Sequence, residues 1–291
     1  MNRTTPRQVF ALLKQTLDEW LDDRGFTRSA SLSYYTVFSI APLLLIAVAV
    51  AGFVFGKDAV TGELERELQG LVGESGATAI QEMMKSAGKR SGGIVATVLG
   101  IVMLFVGSTG AFVELQDTLN DMWGVDKNKS SGVLGFLRAR VLSLAMVLVI
   151  AFLLLVSLVV STGLAAMGAY AGGVFPGWQV ALQVVNLLVS FAVITALFAA
   201  IYKVLPNTEV AWKNVWLGAA FTSVLFAIGK MIIGLYLGKS SVSSSYGAAG
   251  SFAVLLIWIN FSSMILFFGA EFTQVLSRSR GGEHPKPDTG A

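Results

Sequence analysis

AVITALFAAI at residues 192–201 and AMVLVIAFLLLVSLVV at residues 145–160 are the stretches whose reading decides the fold. Neither alternates between apolar and polar residues, as a strand of a membrane β-barrel would, and a helix drawn through either is apolar on every side. Extended to about 20 residues, such a helix crosses the roughly 30 Å of bilayer hydrocarbon. Inside hydrocarbon each backbone N–H and C=O must find its partner within the protein, and a helix supplies those partners from its own backbone.

Segments of the same character recur on both sides of these two. Spans are expected over 32–55, 92–112, 139–167, 178–203, 212–238 and 249–271, so the fold class is an all-α membrane protein built as a bundle of six transmembrane helices. The composition agrees: of 291 residues 54% are hydrophobic and only 13% charged, and the mean hydropathy is +0.70. No cysteine is present, which excludes a disulfide framework, a thiol nucleophile and a thiolate metal site. The first span is too long for a secretory h-region and has no small-residue cleavage site behind it, so it is expected to remain in the mature protein.

Cations near the span ends set the orientation, because Lys and Arg collect on the cytoplasmic side. The N-terminal segment has Arg3, Arg7, Lys14, Arg24 and Arg28; the second connection has Lys127, Lys129, Arg138 and Arg140; Lys203, Lys213 and the tail residues Arg278, Arg280 and Lys286 join them. With six spans these fall on one side, and both termini are expected in the cytoplasm. The first outer connection, 57–91, mixes Lys57, Arg66, Lys85, Lys89 and Arg90 with Glu63, Glu65, Glu67, Glu74 and Glu82. It reads as two short amphipathic helices, with Leu64, Leu68 and Leu71 and then Ile80, Met83 and Met84 on one face, lying along the outer surface or capping the bundle. Residues 8–23 form a further amphipathic helix, with Val9, Leu13, Leu17 and Trp20 opposite Asp18, Asp22 and Asp23, expected in the cytoplasmic interface. A single membrane domain, 1–280, is then followed by the polar tail GGEHPKPDTGA, 281–291, expected to be disordered.

Four phrases, in this order, carry a family resemblance: SLSYYTVFSIAPLLL at 31–45, the segment from Glu114 to Trp123, YKVLPNTEVAWKNVWLGA at 202–219, and SSYGAAGSFAVLLIWINFSSMILFFGAEFTQ at 244–274. In combination they resemble the YihY/BrkB family of bacterial inner-membrane proteins, historically labelled ribonuclease BN, over nearly the whole chain. The resemblance implies a six-helix inner-membrane protein, with transport of lipids or other amphiphiles as the leading idea for its activity. Ribonuclease chemistry finds no support in these residues. RNA hydrolysis requires a metal cluster or an acid/base pair, whereas the one histidine, His284, sits in the tail and no paired-carboxylate motif appears.

An ionisable residue deep in a membrane helix costs about 2.5–3.5 kcal/mol on insertion scales, which singles out Lys230 in TSVLFAIGKMIIGLYLG. It lies about 12 Å below the outer end of its span, Asn186 about 12 Å below Trp178, and Asn260 roughly 15 Å below the start of the sixth span. With Ser262 and Ser263 they could line one polar cavity; alternatively Lys230 snorkels outward and the asparagines bond across packed helices. SSVSSSYGAAGS at 240–251 brings hydroxyls and backbone amides to a helix N-terminus, a generic anion site in which Ser243, Ser244, Ser245, Tyr246, Gly247, Gly250 and Ser251 are candidate contacts. A tight turn with serines facing water is the other reading.

At the cytoplasmic side Glu114, Asp117 and Asp121 share a helix face with Asn120 and Trp123 nearby, as a cation or proton site, a capping network or a solvated face. Glu271 opposes the dipole at the end of the sixth span and requires a partner, with Arg138, Arg140, Lys203 and the tail arginines on its side. Tyr34 and Tyr35 suit an interfacial belt, Pro42 a kink, and Pro206 the end of the fourth span.

The expected function is a non-enzymatic carrier of an anionic amphiphile. Lys230, Asn186, Asn260, Ser245, Tyr246, Gly247 and Ser251 would receive the headgroup, and Glu114, Asp117, Asn120 and Glu271 would have coupling or structural roles. No phosphate-binding loop of the ATPase type is present. No metal or cofactor is expected. The expected partners are membrane lipids, not nucleic acid, and a homo-oligomer stays open. The alternative is an envelope scaffold whose polar groups only pack helices.

Overall fold

The computed structural model describes residues 6–88, 110–125, 178–239 and 250–280, together with the helical positions 141, 145, 149, 152, 153, 156 and 160. Every regular element among them is an α-helix: α1 (Pro6–Asp22), α2 (Gly25–Phe55), α3 (Lys57–Gly88), α4 (110–122), α5 (Trp178–Val204), α6 (Trp212–Lys239) and α7 (Gly250–Ser279). Among the described residues four stretches are long and apolar enough to cross a bilayer, Gly25–Ala49, Val184–Val204, Trp212–Tyr236 and Gly250–Ser279. These are the expected first, fourth, fifth and sixth spans. The expected second span, except for 110–112, and the expected third, except for the single positions above, lie outside the described residues. So do 240–249, the tail 281–291, and the side chains of Pro42, Glu63, Glu67 and Leu71.

The first span begins earlier than its hydropathy indicates. Helix α2 starts at Gly25, directly after a left-handed Arg24 (φ 56°) that turns the chain out of α1. Gly25 is required there, because a Cβ on it would lie 2.2 Å from the Trp20 ring. Helix α1 uses that buried Trp20, together with Thr16, to dock on α7 and α2. Leu12, Leu13 and Glu19 are half-buried beside them. Phe10, Leu17 and Leu21 stay exposed, so the expected stripe is split: Leu13 and Trp20 turn to the bundle, Leu17 away from it.

Gly56, at φ 85°, closes α2 with its N–H bonded to the Gly52 carbonyl and lets α3 reverse at once. A second positive φ at Gly73 (74°) breaks α3 into two helical pieces, as its sequence anticipates. Val60, Leu64, Leu68 and Val72, then Ala77, Ala79 and Ile80, are buried with Val37, Leu43, Leu44 and Val48 of α2 and Leu255 and Ile259 of α7. The apolar face of α3 therefore packs on protein.

Helix α7 packs against α1, α2, α3 and α6. Its antiparallel crossing with α6 is built from one pattern used twice, Gly-Ala-x-Phe-Thr, as GAAFT at 218–222 and GAEFT at 269–273. A Cβ on Gly218 would lie 1.8 Å from Thr273 Oγ1, and one on Gly269 1.9 Å from Thr222 Oγ1, so each glycine receives the other helix's threonine. The threonine hydroxyls bond back to the carbonyls of Gly218 and Gly269 at 2.8 and 2.7 Å. Phe221 and Phe272 stack with centroids 4.0 Å apart. Where lipid tails are as apolar as the helices, close packing through small residues holds helices together.

Gly218→Ala and Gly269→Ala should each destabilise the protein by about 1–3 kcal/mol, the usual range for overpacking. Gly234→Ala on the same helix α6, where a Cβ meets nothing within 4 Å, should be neutral; unfolding of the three variants in detergent checks the contrast.

Candidate functional site

At the end of the bundle where α1 docks, hereafter the α1 end, polar side chains bind the elements to one another. The Arg28 guanidinium bonds Asp121 at 2.9 Å and the Asp23 carbonyl at 2.8 Å, joining α2 to α4. From buried positions on α4, Gln116 donates to the Leu205 carbonyl at 2.8 Å and Asn120 Oδ1 accepts the Asn207 N–H at 2.7 Å. Both hold the α5–α6 connection in place, and Pro206 is buried in it. Lys203 donates to the Val210 carbonyl at 2.7 Å and stands over the Trp212 ring. Tyr202, fully buried, donates to the Leu266 carbonyl at 2.8 Å and lies 3.0 Å from Thr222 Oγ1, so α5, α6 and α7 meet at one phenol.

The candidate coupling residues separate in this frame. Asn120 is bonded to the α5–α6 connection and Asp121 is ion-paired with Arg28. Glu114 is half-buried and Asp117 exposed. Among the described residues no three His, Asp or Glu side chains are grouped to hold a metal. Glu271 is fully buried. Its neighbour is Glu19 of α1, which hydrogen-bonds to it and to Gln15 and is ion-paired with Arg278. Arg278, one of several cations offered as a partner for Glu271, thus pairs with a second carboxyl, Glu19. Nothing local marks Glu19 as a site residue, since in the amphipathic segment 8–23 it lies among other acidic residues, Asp18, Asp22 and Asp23.

In the far half of the bundle the α6–α7 register sets the depths. Gly218 faces Thr273 and Gly229 faces Phe261 and Ile265. Lys230, one residue further out, is therefore level with Asn260, as the sequence depths require. On α5, Thr195 bonds Ser223 at 3.0 Å; seven residues outward from both are Leu188 and Lys230, so Asn186 stands further out. Asn186 and Lys230 are exposed and Asn260 half-buried, and among the described residues no hydrogen bond joins the three. Asn260 instead shares the inward face of α7 with Phe267, Glu271 and Gln274, at i, i+7, i+11 and i+14. Its Oδ1 is buried without a partner, as is the amide of Gln274. Ser251 is half-buried in the first turn of α7, while Ser245, Tyr246 and Gly247 lie outside the described residues.

On the flank of α6 away from Lys230, an apolar groove of about 310 Å³ runs between α6 and α7. Leu225, Ile228 and Ile232 form one wall, Phe261, Met264, Ile265 and Phe268 the other, and Trp20 closes it toward the α1 end. Gly229 is its floor, since a Cβ there would lie 2.5 Å from Ile265 Cδ1 and 2.8 Å from Phe261 Cε1. The groove is apolar throughout, and Lys230, next in sequence to its floor, is exposed outside its lining.

A family model described as "Virulence factor BrkB" matches residues 16–290. The chain belongs to the BrkB family. Its curated relatives include proteins named "UPF0761 membrane protein" from Verminephrobacter eiseniae, 28% identical over 90% of this chain and 61% of the relative, and from Albidiferax ferrireducens, 29% identical over 96% and 68%. Another, from Vibrio campbellii, is 28% identical over 95% of this chain and 85% of its own length. This BrkB-family chain spans about three fifths of the length of several relatives it matches. No solved structure matches it. Family and structure agree on an integral membrane protein.

Burial pushes the Glu19 carboxyl up, but its hydrogen bonds to Gln15 and Arg278, the Arg278 charge and the Glu271 hydrogen bond together hold it below its ordinary value of 4.5. A depressed carboxylate pKa contributes stability that is present above the unfolded value and is lost as pH falls through the folded one. Docking of α1 should therefore weaken below about pH 4.5, where the tryptophan fluorescence that includes Trp20 should shift to the red. In Glu19→Gln that acid transition should be absent, with α1 more loosely held at neutral pH.

Proposed function

We propose that this BrkB-family protein carries an anionic lipid or a similar amphiphile across the bacterial cytoplasmic membrane, with both termini in the cytoplasm and no enzymatic step. One observation carries the reading: an exposed lysine and, on another flank of the same helix α6, an apolar groove shared with α7 both lie within stretches long and apolar enough to span a membrane. A lysine at that depth is costly to keep unless something compensates it, and among the described residues it forms no ion pair. Its neighbour Gly229 opens a trough of about 310 Å³, at the lower end of the sizes of ligand pockets, about 300–1,000 Å³.

The groove, lined by Leu, Ile, Phe and Met, runs from the level of Lys230 toward the α1 end, so an acyl chain lying in it would run toward the membrane centre while its headgroup stayed at the depth of Lys230. The unpartnered Oδ1 of Asn260, at the same level, is an additional polar group facing the bundle interior. Passage beyond that level requires the packed residues Phe267 and Tyr202 at the α1 end to part.

Mass spectrometry of lipids that co-purify with the detergent-solubilised protein tests this reading. An anionic lipid should be enriched on the wild type and lost from Lys230→Met, which keeps the stem of the side chain without its charge, while expression and folding are unchanged. The same non-selective lipid on both proteins would instead favour the envelope scaffold.

A further inference from the structure

At the α1 end, a second cavity of roughly 20 Å³ lies among the end of α4, the α5–α6 connection and the last turns of α7. Trp123, Gln274, Ser277 and Arg278 line it, with Thr208 and Val210. Trp123 and Gln274 are each only 5% exposed. The indole Nε1–H of Trp123, both polar atoms of the Gln274 amide and the Nε–H of Arg278 are shielded from solvent and have no hydrogen-bond partner among the described residues. Ser277 Oγ accepts from Asn214 at 3.2 Å, which leaves its own proton to donate.

Such groups are expensive to bury unpaired, and native proteins rarely do so. Their chemistry is one-sided. An indole N–H and a guanidinium N–H only donate, and with the Gln274 NH2 and the Ser277 hydroxyl they make four donors around one small space. Against them stand the Gln274 carbonyl oxygen and the carboxylate of Glu209, which also lines the cavity and is exposed. The volume suits one oxygen atom, since a single water needs about 10–15 Å³. A water accepts only two hydrogen bonds, whereas an anionic oxygen accepts three.

We propose that Trp123, Gln274, Ser277 and Arg278 bind one oxygen of a phosphate group, with the rest of that group outside the cavity, beside Thr208 and Glu209. The site rests on the carrier reading for its purpose and deepens it: a headgroup that leaves Lys230 has a second station at the other end of the bundle. A phospholipid headgroup and free phosphate present the same chemistry.

The protein in nanodiscs of purely zwitterionic lipid is titrated with inorganic phosphate against chloride at equal ionic strength, and separately placed in nanodiscs that contain phosphatidylglycerol. Thermal unfolding and tryptophan fluorescence are read in both arms. Phosphate alone, or phosphatidylglycerol alone, should raise the midpoint on the order of 5 °C near saturation; the arm that responds identifies the source. The rise should be clearly reduced in Gln274→Leu and in Trp123→Phe, either of which suffices if the other does not fold, and should persist in Lys230→Met. Failure of the lipid-enrichment test with this rise intact would leave the site standing without the carrier. No rise in either arm, or a rise that both cavity variants retain, would overturn the site and leave a cavity holding water.

Discussion

The crossing of α6 and α7 is the contact on which the rest of the structure depends. Two glycines let the helices approach until each accepts the other's threonine, and no apolar force from water assists them inside a bilayer. With α7 fixed there, its other faces receive α1, α2 and α3, and Tyr202 joins α5 to the same place. The twice-used Gly-Ala-x-Phe-Thr pattern also explains where the buried carboxyl lies. Its variable position is Ala220 in α6 and Glu271 in α7, so the one acidic residue in the crossing is directed to the side where α1 brings Glu19, which pairs with Arg278 of α7.

The two halves of the bundle differ in consequence. The α1 end is knit by side-chain to backbone bonds, Gln116 to Leu205, Lys203 to Val210 and Asn120 to Asn207, and closes around Leu119, Met122, Tyr202 and Phe267. Such a network has strict geometric demands, which suits a closed end. Around Gly229 the contacts between α6 and α7 are apolar, and the groove and Lys230 occur at this level. The proposed carrier would use both, the apolar level to bind and the knit end to close.

Much of this was legible in the sequence. Hydropathy alone located four spans that the structure describes, because in lipid the helix is nearly the only backbone solution. Depth counting put Lys230 and Asn260 at one level, since the rise per residue is fixed. Facing was not legible: a helix that is apolar all round gives no sign of which side meets protein, and so Asn186 was grouped with residues that it does not meet. Short residues that recur far apart, such as GAAFT and GAEFT, gave no visible repeat at the scale of a domain. The pairing of Glu19 with Glu271 and Arg278 joins the ends of the described chain, and no local pattern encodes such a meeting. Nor does any local pattern mark Trp123 and Gln274, whose N–H groups have no partner among the described residues.

The measurement that bears most directly on the central claim is movement of a labelled anionic phospholipid between leaflets of proteoliposomes, followed by a membrane-impermeant reagent that quenches only the outer leaflet, with and without an imposed proton gradient. Wild-type protein should move the label faster than protein-free vesicles under at least one of these conditions, and Lys230→Met should not. Equal rates for wild type, Lys230→Met and protein-free vesicles under both conditions would contradict the account.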